Sequence, residues 1–218
     1  MKRVIVFDFD GVIVPSSEKI KSNAWHTIYN DSDASTLFQE AEEKYGRGRG
    51  GDRYDIIRYV LTGLDVVGTE FEQRTALDAA HFDDIVQERI CAAGVSHEIR
   101  KALAACKAAM PTYVNTATPL DAIERTFCAL EIRDYFTDIL GRPRSKVENF
   151  AHVAQREQVT PGEITFLGDS LSDFRAATSF GCVFVGLGNN DNRWNSTPQS
   201  FPVVGSVDEF VERLLHSW

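Results

Sequence analysis

Two short carboxylate motifs carry the most chemistry in this sequence. Asp8 and Asp10 flank one phenylalanine, and Asp169 and Asp173 enclose a Ser-Leu-Ser segment. Carboxylates that converge on one point repel one another strongly unless a cation lies among them. A set of hard oxygen ligands without Cys or His selects Mg²⁺ rather than zinc. These four aspartates are therefore candidate metal ligands.

A hydroxyl and an ammonium group complete the candidate site. Thr116 follows a candidate strand at 112–115, and Lys146 opens a helical stretch. Beside helix N-termini these groups suit an anion with several oxygens, such as a phosphate. Asp8 could then attack phosphorus, with Mg²⁺ bridging the nucleophile and a phosphoryl oxygen.

The elements that must position these residues alternate between strands and helices. Apolar, β-branched runs predict strands at 3–9, 112–115, 137–140, 163–167, 182–185 and, more weakly, 201–204. Helical stretches lie between and after them, at 96–110, 119–133, 146–158, 171–179 and 207–216. This alternation predicts a mostly parallel sheet covered on both faces. The candidate residues would then meet at the carboxyl ends of its strands, where open parallel sheets bind ligands.

One connection is far longer than a βα crossover. About a hundred residues separate the first two strands, and helices are predicted within them at 16–29, 34–45, 53–62 and 70–92. The fold class is therefore α/β with an inserted α-helical cap domain. We expect the catalytic core at 1–14 and 93–218 and the cap at 15–92. The glycine-rich segment 46–52 and the polar stretch 186–200 are typical of mobile surface.

Each motif also has a purely structural interpretation. A lone Asp-x-Asp at a strand end is often a helix cap. The segment 118–121 has the pattern of a capping box with Thr118 as the N-cap. The segment 145–148 repeats that pattern, so Lys146 alone could be a solvated residue, and a serine within 170–172 could cap the next helix. The conjunction of the motifs, in order and at strand ends, favours the chemical interpretation.

The composition excludes several classes of function. The chain has 218 residues and a formal net charge of -9, which disfavours nucleic-acid and anionic membrane partners. No apolar run approaches the roughly 18 residues that span a bilayer, and Asp8 interrupts the N-terminal apolar run too early for a signal peptide. Four cysteines without a CxxC pair indicate unpaired thiols. We expect a cytoplasmic protein, either a monomer or a dimer.

The order of these motifs resembles that of the haloacid dehalogenase superfamily, over essentially the whole chain. Segment 4–13 resembles its first motif, 114–119 its second, Lys146 its third and 166–173 its fourth. The resemblance implies a Rossmann-like, three-layer core with a helical cap inserted after the first strand, as in the group of phosphoglycolate phosphatase and β-phosphoglucomutase. It further implies Mg²⁺ as the cofactor and a small phosphorylated metabolite as the partner.

The resemblance also implies a role for each acidic residue. Asp8 would be the nucleophile that forms an aspartyl-phosphate. Asp10 would protonate the leaving oxygen and later activate water, and its backbone carbonyl would reach Mg²⁺. Asp169 would ligate the metal directly, and Asp173 would ligate it or orient its waters.

The phosphate-binding residues follow from the second and third motifs. Thr116 and the amide of Ala117 would hold phosphoryl oxygens, and Lys146 would neutralise charge on Asp8 and the phosphate. Asn115 precedes Thr116, which leaves an ambiguity of one residue that we resolve towards Thr116. The first motif continues with Val14 and Pro15 where the family often has an acidic residue and serine, so closure of the cap could differ.

Within the superfamily, Asp10 favours chemistry on phosphate esters. Dehalogenases and phosphonate hydrolases lack an acid two residues after the nucleophile, and P-type ATPases have threonine there. A phosphatase is the leading interpretation, and a phosphomutase of the β-phosphoglucomutase type is the alternative. A phospho-acceptor signalling domain is disfavoured because the third strand ends in Leu140 and Gly141 without an acceptor. A catalytically silent binding protein is disfavoured because no motif residue is missing.

Substrate choice is expected to depend on the cap, since lids contact the end of the substrate away from the phosphate. Arg47, Arg49 and Arg53 lie in or beside the glycine-rich segment and could clamp a carboxylate or a second phosphate. Arg53 is the strongest candidate because it leads into a helix. A flexible solvated turn is the alternative for this segment.

Overall fold

The computed structural model describes residues 3–46 and 51–217. These residues form two compact units. One unit joins the segment up to Ser16 to the segment from Ala93 onward, and the other spans Ser17–Ala92. Each unit has a hydrophobic core of its own.

The inserted unit is helical. Its helices are α1 (Ser17–Ile28), α2 (Ser32–Tyr45), α3 (Arg53–Gly63) and α4 (Gly68–Ala93). Trp25 lies at the centre of its core, where its ring stacks on Phe82 with 4.1 Å between centroids. Asp31 and Asp52 cap α2 and α3 through their side chains, which satisfies backbone N–H groups that a helix start leaves unpaired.

The other unit contains a parallel sheet, with six strands in the described part of the chain. They are β1 (Val4–Phe7), β2 (Thr112–Pro119), β3 (Asp138–Arg142), β4 (Ile164–Gly168), β5 (Val183–Leu187) and β6 (Val203–Val204). Their spatial order is β3-β2-β1-β4-β5-β6. The order of strands reverses beside β1, and ligands bind in open sheets of this kind in the crevice outside such a point.

Helices cover both faces of this sheet. They are α5 (His97–Ala109), α6 (Leu120–Ala129), α7 (Lys146–Glu157), α8 (Leu171–Phe180) and α9 (Val207–Ser217). On one face Phe7 of β1 packs edge-on against Phe210 of α9, with 5.7 Å between ring centroids. On the other face Phe166 of β4 packs against Phe150 of α7 at 5.0 Å. All of β1 is consequently buried, which explains why its sequence is a continuous apolar run.

The predicted fold class is confirmed: an α/β fold with a parallel sheet and a helical insert after the first strand. One predicted helix, 119–133, is too long at its C-terminal end. α6 stops at Ala129 because Glu131 adopts a left-handed φ of 53°, and residues 133–135 form a separate 3₁₀ turn. Among the described residues, none of the helices combines the length and the apolar character needed to cross a bilayer.

Candidate active site

Three aspartates meet at the carboxyl edge of the sheet. Asp8 directly follows β1, Asp169 directly follows β4, and Asp173 lies in the first turn of α8. The two strands are paired in register, Phe7 beside Leu167, so Asp8 emerges beside Gly168 and Asp169 follows one residue later at the same edge. One carboxylate oxygen from each of the three residues lies within 4.8 Å of the other two, and all three residues are buried.

This carboxylate cluster has the donor set of a magnesium site. It offers only hard oxygen ligands, and its buried carboxylates repel one another without a cation. Asp10, the fourth predicted ligand, is also buried but is not part of the three-carboxylate cluster. The residues present therefore fit a hard divalent cation.

Lys146 places its ammonium group between two of these carboxylates. Its Nζ lies 3.0 Å from Asp8 Oδ1 and also forms an ion pair with Asp173. Burial and the nearby Asp173 raise the pKa of Asp8 well above its usual range, although Lys146 opposes the shift. Burial by itself would lower the pKa of Lys146, but Asp173 and Asp8 outweigh it and raise that pKa. Lys146 is thus a permanent cation at neutral pH.

Local capping fixes the segments that carry Lys146 and Asp173. Ser145 caps α7, accepting a hydrogen bond from the backbone of Glu148 while the Glu148 side chain accepts from Ser145. Ser170 and Asp173 form the same reciprocal capping box at α8. The structural interpretation of these two motifs is therefore correct, and it coexists with their place in the cluster.

The predicted N-cap role of Thr118 is wrong. β2 continues through Thr118 to Pro119, which pairs with Arg142 of β3, and α6 starts without a side-chain cap. The Thr118 hydroxyl donates instead to Oδ2 of Asp10, at 3.3 Å. A hydrogen bond between residues distant in sequence, from β2 to the segment that follows the neighbouring strand β1, thus forms in place of the local cap.

The predicted phosphate-binding residues lie at the end of β2 and the start of α7. Thr116 is buried, and its Oγ1 accepts from the backbone N–H of Thr118 at 3.2 Å, whereas Ala117 is exposed. Asn115 is committed to a structural role, because its Nδ2 donates to the Lys146 carbonyl at 2.9 Å. Its Oδ1 accepts from Asn149. The choice of Thr116 over Asn115 as the phosphate-binding residue stays a prediction.

Sequence reasoning missed the loop after β5. The sequence predicts mobile surface over 186–200, yet Asn189 Nδ2 donates to Oδ2 of Asp169 at 3.0 Å and Asn192 Nδ2 donates to the Asp169 main-chain carbonyl at 2.9 Å. The available signal was the position of these asparagines, just beyond the carboxyl end of a strand two places from β1.

Arg53, the predicted substrate contact, is the first residue of α3 in the helical unit. Its guanidinium forms an ion pair with Asp83 and lies 5.3 Å from the ring centroid of Phe82. Its role towards a substrate stays a prediction. Arg47 and Arg49, named with it, lie outside the described residues.

Comparisons with known proteins confirm the family resemblance that the order of the motifs indicates. A family model described as haloacid dehalogenase-like hydrolase matches residues 2–181. The phosphoglycolate phosphatase of Vibrio vulnificus (strain YJ016) is 25% identical over 228 residues, covering 99% of this chain and 97% of that protein. The fold is similar to that of a predicted phosphoglycolate phosphatase from Haemophilus somnus 129PT, with a TM-score of 0.69, 21% identity and 98% coverage of both chains. It is also similar to that of a β-phosphoglucomutase from Clostridium difficile, with a TM-score of 0.67, 21% identity and coverage of 98% and 96%.

Proposed function

The chain belongs to the haloacid dehalogenase-like hydrolase family, and we propose that it is a Mg²⁺-dependent phosphatase that hydrolyses a small phosphomonoester through an aspartyl-phosphate. The observation that carries this proposal is the buried cluster of Asp8, Asp169 and Asp173 with the Lys146 ammonium against two of them. The similarity to a phosphoglycolate phosphatase along almost the whole chain supports the substrate class.

Asp8 is the proposed nucleophile. Its Oδ1 accepts from the Phe9 backbone N–H at 2.8 Å and lies 3.0 Å from Lys146 Nζ, so its orientation is fixed. Lys146 favours the ionised form that attack requires, against the opposing effects of burial and Asp173. In the first step a bond forms between an Asp8 oxygen and phosphorus, while the bond from phosphorus to the ester oxygen breaks.

Asp10 is the proposed acid and base. It gives its proton to the departing ester oxygen, which leaves as an alcohol, and it is then a carboxylate. A water molecule next attacks phosphorus, Asp10 accepts a proton from it, and the bond from Asp8 to phosphorus breaks. The products are the alcohol and inorganic phosphate, and both carboxyl groups return to their starting states. Thr118 orients Asp10 through the hydrogen bond to Oδ2.

The remaining site residues bind charge. We propose that Asp8, Asp169 and Asp173, with the backbone carbonyl of Asp10, hold Mg²⁺, which when bound stabilises negative charge on the phosphoryl group. Thr116 and the amide of Ala117 would bind phosphoryl oxygens. Lys146 lies close enough to Asp8 to contact a phosphate that approaches it.

Phosphate release from an aryl phosphate and from 2-phosphoglycolate, with Mg²⁺ and with EDTA, tests the proposal. Asp8→Asn should abolish release, whereas Asp121→Asn, an equal change at an exposed aspartate, should leave it unchanged. Mg²⁺-independent release, or full activity in Asp8→Asn, contradicts the mechanism. A single-turnover reaction with a sugar bisphosphate separates the alternative, because a phosphomutase returns the phosphoryl group to the sugar's other hydroxyl rather than to water.

A further inference from the structure

A loop after β5 holds Asp169 from two directions. We call residues 188–194 the asparagine loop. Asn189 Nδ2 donates to the Asp169 side chain, at Oδ2, over 3.0 Å. Asn192 Nδ2 donates to the Asp169 main-chain carbonyl and to the Leu187 carbonyl, each over 2.9 Å. The loop thereby connects both the backbone and the carboxylate of Asp169 to the end of β5.

The asparagine loop is rigid enough to orient a side chain. Asn189 Oδ1 accepts from the N–H groups of Asp191 and Asn192 at 2.9 Å each. Asn192 Oδ1 accepts from the N–H groups of Asn189 and Trp194, at 3.0 Å each. Trp194 is buried in the core of the unit and packs edge-on against Phe201 at 5.0 Å. The Asn189 amide is therefore fixed before any ligand arrives.

The backbone at Gly11 confines the same carboxylate from another side. A Cβ at Gly11 would lie 2.1 Å from Asp169 Oδ2, and the residue adopts a φ of +71°. The carboxylate thus occupies the space that any other residue at position 11 would fill. Between this backbone and the Asn189 amide, Asp169 has little freedom to rotate.

We propose that Asn189 is a positioning residue that sets the affinity of the site for Mg²⁺ by orienting the Asp169 carboxylate. The inference rests on the proposed function. Asn189 is a neutral donor, so its hydrogen bond fixes Asp169 without neutralising it, in contrast to the way Lys146 pairs with Asp173. Hydrogen-bond partners of this kind typically change metal affinity by about 10- to 100-fold when they are removed.

Two substitutions separate the hydrogen bond to Asp169 from the integrity of the loop. Asn189→Ala removes both the donor and the acceptor of the side chain. Asn189→Ser keeps an oxygen that can accept from the loop's N–H groups, but it is too short to reach Asp169. Asn190→Ala is the matched control, since it changes an adjacent, exposed asparagine.

The readout is direct metal binding by the full chain without substrate, from titration calorimetry with Mg²⁺ and electron paramagnetic resonance with Mn²⁺. Both Asn189 variants should bind at least about 10-fold more weakly, and Asn190→Ala should bind like the wild type. The concentration of Mg²⁺ that half-activates turnover should rise by the same factor, with kcat at saturating Mg²⁺ and KM nearly unchanged. In EDTA the unfolding midpoint of Asn189→Ser should lie closer to that of the wild type than the midpoint of Asn189→Ala does, because the serine variant loses only the hydrogen bond to Asp169.

Unchanged metal affinity in Asn189→Ser, or an equal loss in Asn190→Ala, overturns the proposal, and so does a wild-type chain that binds no divalent metal. A wild type that binds Mg²⁺ but releases no phosphate from any ester refutes the proposed function instead. In that case the Asn189 inference is still decided by the binding titrations.

Discussion

Replacing Lys146 by methionine removes one positive charge from a buried cluster while keeping much of the side chain's volume. The Lys146 side chain is 14% exposed, and its partners Asp8 and Asp173 are 8% and 0% exposed. The substitution leaves Asp8, Asp169 and Asp173 adjacent to one another with no ammonium group between two of them. We expect the metal-free protein to lose a large share of its stability.

The size of the loss follows from the geometry. Two unit charges at the 3.0 Å between Lys146 Nζ and Asp8 Oδ1 attract by about 5.5 kcal/mol at an effective dielectric constant near 20. Part of that attraction only offsets the cost of burying the charges. Deleting one partner of a buried pair typically costs about 3–5 kcal/mol. We therefore expect Lys146→Met to lower the free energy of unfolding by about 3–5 kcal/mol at pH 7 in EDTA.

The loss should depend on pH and on metal. The pKa of Lys146 is raised, so its contribution is complete at pH 7 and is lost only above the usual lysine range. Without Lys146, the pKa of Asp8 rises further, because the contribution that lowered it is gone. Protonation then relieves the repulsion as pH falls towards 4, and the deficit shrinks. Mg²⁺ should reduce it at pH 7, since a divalent cation binds the same carboxylates.

Urea unfolding at pH 7 and pH 5, in EDTA and in Mg²⁺, measures these differences. Arg125→Met is the matched control, since it breaks the exposed ion pair with Asp121 in which both side chains are more than half exposed. Such a pair contributes about 0.5 kcal/mol or less. If the free energy of unfolding of Lys146→Met lies within about 1 kcal/mol of the wild-type value in EDTA at pH 7, Lys146 does not stabilise the buried carboxylates as argued.

Three further predictions concern neighbouring residues. Asp8→Asn should raise the unfolding temperature of the metal-free protein at pH 7 by about 2–4 °C for each kcal/mol recovered, because the raised pKa of Asp8 means that its ionised form costs stability. This gain should vanish towards pH 4, and a variant less stable than wild type at pH 7 refutes it. Thr118→Val should lower kcat about 5-fold in steady-state assays, because it removes one hydrogen bond to Asp10 of about 1 kcal/mol. Thr118→Ser keeps the hydroxyl and should restore kcat. An unchanged kcat in Thr118→Val contradicts the role of Thr118 in orienting Asp10. Gly11→Ala should lower the free energy of unfolding by at least about 1 kcal/mol from the positive φ alone. The new methyl group should also displace the Asp169 carboxylate and weaken Mg²⁺ binding in calorimetry. A wild-type Mg²⁺ affinity would show that Asp169 tolerates this displacement.

The sheet was predictable because burial on both faces produces uninterrupted apolar strands. Val4–Phe7 and Ile164–Gly168 are recognisable in the sequence for that reason. The meeting of Asp8 and Asp169 was predictable as well, since residues that follow parallel strands share one edge. The reciprocal capping boxes at Ser145 and Ser170 depend only on residues three apart, and the structure has both.

Thr118 shows where local rules stop. The segment 118–121 satisfies the capping pattern, but pairing of Pro119 with Arg142 keeps this backbone in the strand. The hydroxyl then reaches Asp10, 108 residues away. Asn189 escaped prediction for the same reason, because its bond to Asp169 depends on the neighbouring positions of β4 and β5. Contacts set by strand order leave no local pattern to find.

The charges of the cluster explain why the proposed reaction should need a metal rather than merely benefit from one. Three carboxylates and one ammonium leave two net negative charges when all are ionised, and burial strengthens their field. A phosphate dianion approaching Asp8 meets that repulsion together with the negative charge of the nucleophile itself. Lys146 is already engaged by Asp8 and Asp173, and the Asn189 donor adds no charge. A divalent cation supplies the two missing positive charges, so without it both binding of the substrate and attack by Asp8 should fail together.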